Sequence, residues 1–322
     1  MNNEQLSMNN WQSRKILVQG ITEPLAIHAV AKMKDYGTNI VAGVGIGRGG
    51  EEIAGVPVFD LVEEAIAKVE VVYMSIIFVP PNQILDAVLE AMAANIPRLI
   101  LVTNHIPPLD MMRLFRKAKA NKTVVLGGGS AGIIVPERVL LGICEARCYT
   151  PGNVALIGRG TGLLDEVAWE LTQGGIGQSI AIDLGNGEAI GSGFSDWLTL
   201  LAKDRKTKAI ALLESAMMGN EEAADLIPPH FKKPIFVYVS GRFVPIQPFS
   251  QDTTKLILSQ CSTSFAHGST AEAKLAACDR AGIPVANSPS HLAKLLQETL
   301  KSEVKRKQKP VLTSNHESTT LS

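Results

Sequence analysis

Short, unbroken apolar runs alternate with amphipathic stretches along almost the whole chain. Runs such as Ile16-Leu17-Val18 and residues 98–102 contain no regular polar position, as expected of strands covered on both faces. The pattern predicts strands at 15–18, 40–44, 71–78, 98–102 and 123–126, with helices at about 24–36, 61–69, 84–94 and 109–120. Pro24 suits a first helical turn, and Pro80-Pro81-Asn82 stops the third strand. A second series predicts strands at 154–157, 179–183, 209–213, 235–239 and 262–266, with helices at about 163–173, 194–203, 220–227 and 271–281. A short strand at 283–287 and a helix at 291–300 close it. Such alternation means parallel sheets whose ligand loops lie at the C-terminal ends of the strands. Residues 133–153 have no clear period and contain Pro136, Pro151 and Gly152, which places a domain boundary near 150. Two α/β domains at 13–149 and 150–300 are expected, with disordered tails at 1–12 and 301–322.

Composition narrows the class. The 322 residues are 46% hydrophobic and 19% charged, with zero formal net charge, which fits a soluble globular protein. Zero net charge gives no support for a nucleic-acid or acidic-membrane partner. Four cysteines are too few for a disulfide framework, and the pair Cys144 and Cys148 lacks further ligands for zinc, so no metal is expected. The polar first ten residues are not a signal peptide and no apolar run is long enough to span a bilayer, so a cytoplasmic location is expected.

Two glycine-rich turns carry candidate chemistry. In residues 154–170 an apolar strand leads through Gly158-Arg159-Gly160-Thr161-Gly162 into an amphipathic helix. Gly160, Thr161 and Gly162 place unpaired helical N–H groups and the positive end of the helix dipole where an anion, most simply phosphate, would fit. An ordinary strand-to-helix turn reads the same way. The loop Gly45-Ile46-Gly47-Arg48-Gly49-Gly50 could wrap a phosphorylated ligand through Arg48, or be a surface hairpin before residues 53–59.

Taken in order, the motifs resemble the α subunit of succinyl-CoA synthetase and related NDP-forming acyl-CoA ligases. The resemblance runs from about Lys15 to Leu300. In the first domain it is carried by Gln19-Gly20-Ile21-Thr22, Tyr36-Gly37-Thr38, the loop 43–50, Gly55-Val56-Pro57-Val58-Phe59, Val79-Pro80, Leu89-Glu90-Ala91, and Ile106-Pro107 with Leu109-Asp110-Met111. In the second it is carried by Pro151-Gly152, Arg159-Gly160-Thr161, Gly175-Ile176-Gly177-Gln178-Ser179, Glu214, and Gly268-Ser269-Thr270-Ala271 with Lys274. It implies a Rossmann-like CoA-binding domain followed by a flavodoxin-like ligase domain. It also implies coenzyme A contacts at Thr22, Arg48, Val79, Pro80, Thr103 and Asn104, and an ATP-grasp β subunit as partner that brings ATP or GTP with Mg, in an oligomer.

Several positions depart from the family pattern. Thr22 is followed by Glu23-Pro24-Leu25 rather than by small residues, Arg48 replaces a lysine, Asn82 a proline and Asn104 an acidic residue, and Gly129-Ser130 replaces an asparagine–cysteine pair. The family's phosphohistidine lies in a Gly-His-Ala-Gly loop that this chain lacks; the register puts Ser259 there, and His267 is the local substitute. A phosphoserine ester is too stable to replace phosphoimidazole. Glu214 matches the glutamate that steadies the phosphohistidine. Three functions stay open: a CoA- or acyl-CoA-binding relative impaired in phosphohistidine chemistry, an active ligase α subunit using His267, and a dinucleotide-dependent oxidoreductase. The last ranks lowest because Gly20-Ile21-Thr22-Glu23 stands where G-x-G-x-x-G belongs.

Overall fold

The computed structural model describes residues 11–160, 162–187, 189–216, 223–228, 231–242 and 271–308. The first sheet contains β1 (Ile16–Gln19), β2 (Ile40–Val44), β3 (Glu52–Ile53), β4 (Val56–Phe59), β5 (Met74–Ile77), β6 (Arg98–Leu101) and β7 (Val124–Leu126). Helices α1 (Pro24–Asp35), α2 (Val62–Val69), α3 (Ile84–Ala93) and α4 (Pro108–Asn121) connect them. The strand order is β3-β4-β2-β1-β5-β6-β7. All pairs are parallel except the β3–β4 hairpin. Without β3 this is the doubly wound dinucleotide-fold order, third-second-first-fourth-fifth-sixth, with its reversal between β1 and β5. Alternate residues face opposite layers: Val18, Ile76 and Ile100 pack with Val30 and Met33 of α1, while Leu17, Ile77 and Leu101 pack with Val62, Val88 and Leu114 of α2 to α4.

The second sheet contains β8 (Gly132–Val135), β9 (Val139–Gly142), β10 (Pro151–Arg159), β11 (Gln178–Asp183), β12 (Ala209–Ser215), β13 (Ile235–Ser240) and β14 (Val285–Ala286). Helices α5 (Leu163–Gln173), α6 (Phe194–Lys203), α7 (Ala271–Arg280) and α8 (Pro289–Gln308) belong to it. Its order is β14-β13-β12-β10-β11-β8-β9, with β10 to β14 parallel. Those five strands have the flavodoxin-like order, second-first-third-fourth-fifth, with the reversal between β10 and β12.

The expected α/β architecture of mostly parallel strands is observed, with differences in detail. Both sheets are mixed rather than purely parallel. Residues 132–142, read as lacking a period, form the β8–β9 hairpin, which adds antiparallel to β11. Sheet membership therefore changes between Leu126 and Gly132, ahead of position 150. These runs were unreadable because both strands are short and almost wholly buried, so neither alternates. At the ends, Trp11 is buried in the core within a short 3-10 turn, Trp11–Ser13, and α8 continues to Gln308 where a tail was expected after 301. The strand expected at 262–266 lies outside the described residues.

The hairpin also clamps the two units together. Thr38 Oγ1 donates to the Leu140 carbonyl at 2.6 Å, the Glu137 N–H donates to Tyr36 Oη at 2.9 Å, and Lys32 pairs with Glu145 at 3.2 Å. One apolar core is continuous from Trp11 and α1 through β8–β9 to Leu292 and Leu296 of α8.

Candidate functional site

The loops after β1, β2, β5 and β6 converge at the C-terminal edge of the first sheet. Gly20 follows β1 with φ +73°, and a Cβ there would lie 2.7 Å from the Val79 backbone nitrogen. Only glycine allows both that conformation and that approach. A Cβ on Gly45 would lie 2.7 Å from the Thr22 methyl group, so Thr22 closes over the start of the second loop. Thr103 Oγ1 donates to the Val79 carbonyl at 2.6 Å. Thr22, Val79 and Thr103 thus share one edge, and Pro80 opens the turn into the 3-10 segment Pro81–Gln83. Asn104 is exposed beyond Thr103. Glu23 is the half-buried N-cap position of α1 and its side chain makes no capping hydrogen bond.

Arg48 is engaged within its own loop. Its Nη2 donates to Glu51 Oε2 at 2.6 Å and its Nε to Glu51 Oε1, so the fork is filled by a carboxylate. The pair is exposed, and Arg48 holds the Glu51 carboxyl below its ordinary range. The N–H groups of Arg48 and Gly49 both donate to Asp60 Oδ1 at 3.0 Å. Two backbone amides of this loop therefore bind an anion from the chain itself. A phosphate reaching this loop meets the Arg48 guanidinium, in competition with Glu51.

The second sheet concentrates buried charge at its own reversal. Arg159 ends β10 directly beside Glu214 of β12 in the strand register. Gly160 (φ +137°) and Gly162 (φ +75°) then turn the chain into α5. Lys274 of α7 reaches Glu214 Oε2 at 2.9 Å and donates to the Ser215 carbonyl at 3.0 Å, both side chains being almost fully buried. Arg159, also buried, donates from Nη2 to the Gly187 carbonyl at 2.6 Å. At the end of β11, the buried Asp183 accepts the N–H groups of Ala131 at 2.7 Å and Gly185 at 3.1 Å, and burial pushes its carboxyl up to about 6. Thr161, Ser259 and His267 lie outside the described residues.

The two edges meet at Gly129. A Cβ there would stand 2.0 Å from Asn186 Oδ1 and 2.1 Å from Asn104 Oδ1, so amides from the loops after β11 and β6 close over one glycine. The structure therefore brings Thr22, Val79, Thr103 and Asn104 to one edge, leaves Arg48 exposed on its rim, and places Gly160, Gly162 and Glu214 at the other. Sequence reasoning overlooked Lys274 as a charged partner, although a lysine at helical spacing with Ala277 and Cys278 marks a cation on a core-facing stripe. It also overlooked Asp183, signalled by a carboxylate closing the apolar run Ile180-Ala181-Ile182. Among the described residues no group of His, Cys, Asp and Glu could hold a metal ion, and no helix is long and apolar enough to cross a membrane.

This architecture defines a two-sheet α/β protein with a nucleotide-type first domain, and residues 12–105 match the family described as CoA binding domain. Over 286 residues the chain is 35% identical to succinate–CoA ligase [ADP-forming] subunit alpha 2 of Archaeoglobus fulgidus, spanning 89% of this chain and 97% of that protein. It is 34% identical over 291 residues to the corresponding subunit alpha of Staphylococcus aureus, spanning 90% of this chain and 94% of that one. The chain belongs to the succinate–CoA ligase α-subunit family.

Solved structures share the fold. The ATP citrate lyase of Methanothrix soehngenii, in complex with citrate and coenzyme A, superposes with a TM-score of 0.75 at 18% identity, covering 91% of this chain. The chain spans 50% of that lyase chain. The dinucleotide forming acetyl-coenzyme A synthetase 1 of Ca. Korarchaeum cryptofilum, in complex with phosphate and ADP, gives 0.65 at 19% identity, covering 86% of this chain and 59% of that one.

Proposed function

We propose that the chain binds coenzyme A or an acyl-CoA at the first edge and works as an α-type subunit whose phosphohistidine chemistry is impaired. Family membership together with the shared edge of Thr22, Val79 and Thr103 carries the reading. Thr22, Val79, Pro80, Thr103 and Asn104 line the ligand loops, and Arg48 offers its guanidinium to a phosphate in exchange for Glu51. The donor set suits a phosphate-bearing ligand: hydroxyls, close-packed backbone and one exposed cation. When bound, coenzyme A supplies the thiol that carries the acyl group.

Impairment rests on the second edge. Glu214, the match to the glutamate that steadies the family's phosphohistidine, pairs with Lys274, itself a match to the family pattern, so this pair favours neither reading. The family register puts Ser259 at the histidine position. Gly160 and Gly162 turn the chain into α5, and the N-terminus of that helix would suit a phosphate. An ATP-grasp β subunit is the proposed partner and would bring ATP or GTP with Mg. An active ligase using His267 is the competing reading, favoured by the position of Glu214 beside that turn.

Incubation with radiolabelled ATP, coenzyme A and phosphate, with and without an ATP-grasp subunit, separates the two. No acid-labile label is expected. A label on His267 that turns over with succinate and coenzyme A would establish the active ligase. Calorimetry with coenzyme A alone tests the binding half of the proposal.

A further inference from the structure

A cluster at the opposite, N-terminal edge of the first sheet has no part in these crevices. Arg14, Tyr73 and Arg98 stand at the starts of β1, β5 and β6, three neighbouring strands, with the Tyr73 N–H donating to the Lys15 carbonyl at 2.9 Å. Both guanidiniums lie over the Tyr73 ring, Arg98 at 3.8 Å from its centroid and Arg14 at 4.8 Å. Four-residue strands separate them from the ligand loops by roughly 13 Å.

Among the described residues neither arginine takes part in an ion pair; the pair at this edge is Lys15 with Glu70 at 4.0 Å. Arg98 is only 7% exposed, and its Nε is buried with no hydrogen-bond partner. Burial, and then the neighbouring Arg14, lowers the Arg98 guanidinium pKa against the opposing effect of Tyr73. Burying a cation without a counter-ion is unfavourable, and a second cation beside it adds repulsion. Stacking on tyrosine offsets only part of this. A compact dianion answers both charges, and guanidinium forks match the oxygens of phosphate. Arg14 is exposed and leaves the cluster open to solvent.

We propose that Arg14 and Arg98, stacked on Tyr73, form a second anion site that takes a phosphate group, remote from the coenzyme A edge. The site does not rest on the function proposed above. The test is equilibrium dialysis of the full chain, saturated with coenzyme A, against labelled orthophosphate. Parallel runs with methyl phosphate and with succinate as competitors identify the ligand chemistry.

Arg14→Ala is expected to lower the phosphate stoichiometry by one per chain, and Arg98→Lys to weaken that site about tenfold or more. Arg48→Ala should leave it intact, which separates it from the coenzyme A rim, and phosphate held at the Gly160–Gly162 turn should persist in all three variants. Competition by methyl phosphate would mark a phosphate-ester site, and competition by orthophosphate alone a free-phosphate site; either supports the proposal. Equal stoichiometry in wild type and Arg14→Ala would overturn it, as would displacement by succinate at the same concentration as by phosphate. Arg14 is exposed, so its variant decides the matter even if Arg98→Lys folds poorly.

Discussion

The two C-terminal edges are built from opposite materials. The first is assembled by close backbone approach and neutral hydrogen bonds, Gly20 against Val79, Thr22 over Gly45 and Thr103 onto the Val79 carbonyl, with its charges on the exposed rim. The second is assembled from buried charge: Arg159, Asp183, Glu214 and Lys274 are each at most 3% exposed. Neutral close packing fixes loop shape while leaving cations available to a ligand. Buried charge fixes partners to one another, so losing one partner strands the other.

The largest expected effect breaks the second edge. Lys274→Ala leaves the Glu214 carboxylate buried without its counter-ion and should destabilise the fold by about 3–5 kcal/mol, measured by urea unfolding. Lys274→Met combined with Glu214→Gln should recover most of that loss. If the single and double variants unfold alike, the pair is not what holds this edge.

Next comes Asp183. Its carboxyl titrates near 6 in the folded protein against an ordinary value of 3.8. The folded state therefore holds the proton more tightly, and the associated stability is present below pH 4 and lost as pH rises through 6. The pH-linked loss is on the order of 3 kcal/mol. Asp183→Asn should flatten the fall in thermal midpoint between pH 4.5 and 7.5; an unchanged slope would assign that dependence to other groups.

At the first edge, Gly20→Ala forces a side chain onto the Val79 nitrogen at positive φ. A loss of roughly 1–3 kcal/mol is expected, together with weaker coenzyme A binding because Thr22 moves with it. Retained affinity in a destabilised variant would detach the pocket from this loop. The smallest effect on the fold belongs to the rim: Arg48→Ala should leave the unfolding midpoint unchanged and weaken coenzyme A binding about tenfold. Glu51→Ala should tighten it by freeing the guanidinium. Calorimetry with both variants gives the answer.

What could be read from the sequence follows the same division. The parallel strands were legible because unbroken apolar runs followed by helical spacing have few other interpretations, and the glycines at 160 and 162 announced a tight turn. The β8–β9 hairpin was not legible, because strands of four residues buried on both faces leave no alternation to detect. The pairing of Arg48 with Glu51, and of the loop amides with Asp60, was equally hidden: a cation in a glycine-rich loop looks the same whether its partner is a ligand or a side chain nearby. Lys274 and Glu214 lie far apart in the chain, and only the packing of α7 against β12 reveals them as a pair.

The clamp of β8–β9 on α1 has a consequence for synthesis. The hairpin leaves the ribosome well before β11, the strand it must pair with, and at about 5–20 residues per second the delay is a few seconds. During that interval Thr38 and Tyr36 on the first unit offer docking points to β9 and the hairpin turn, holding the hairpin on its own chain while the β8 edge waits for β11. A nascent chain stalled once the hairpin has cleared the ribosome, but before β11 has emerged, should therefore already protect the hairpin amides from exchange, and Thr38→Val should leave the stalled chains prone to associate.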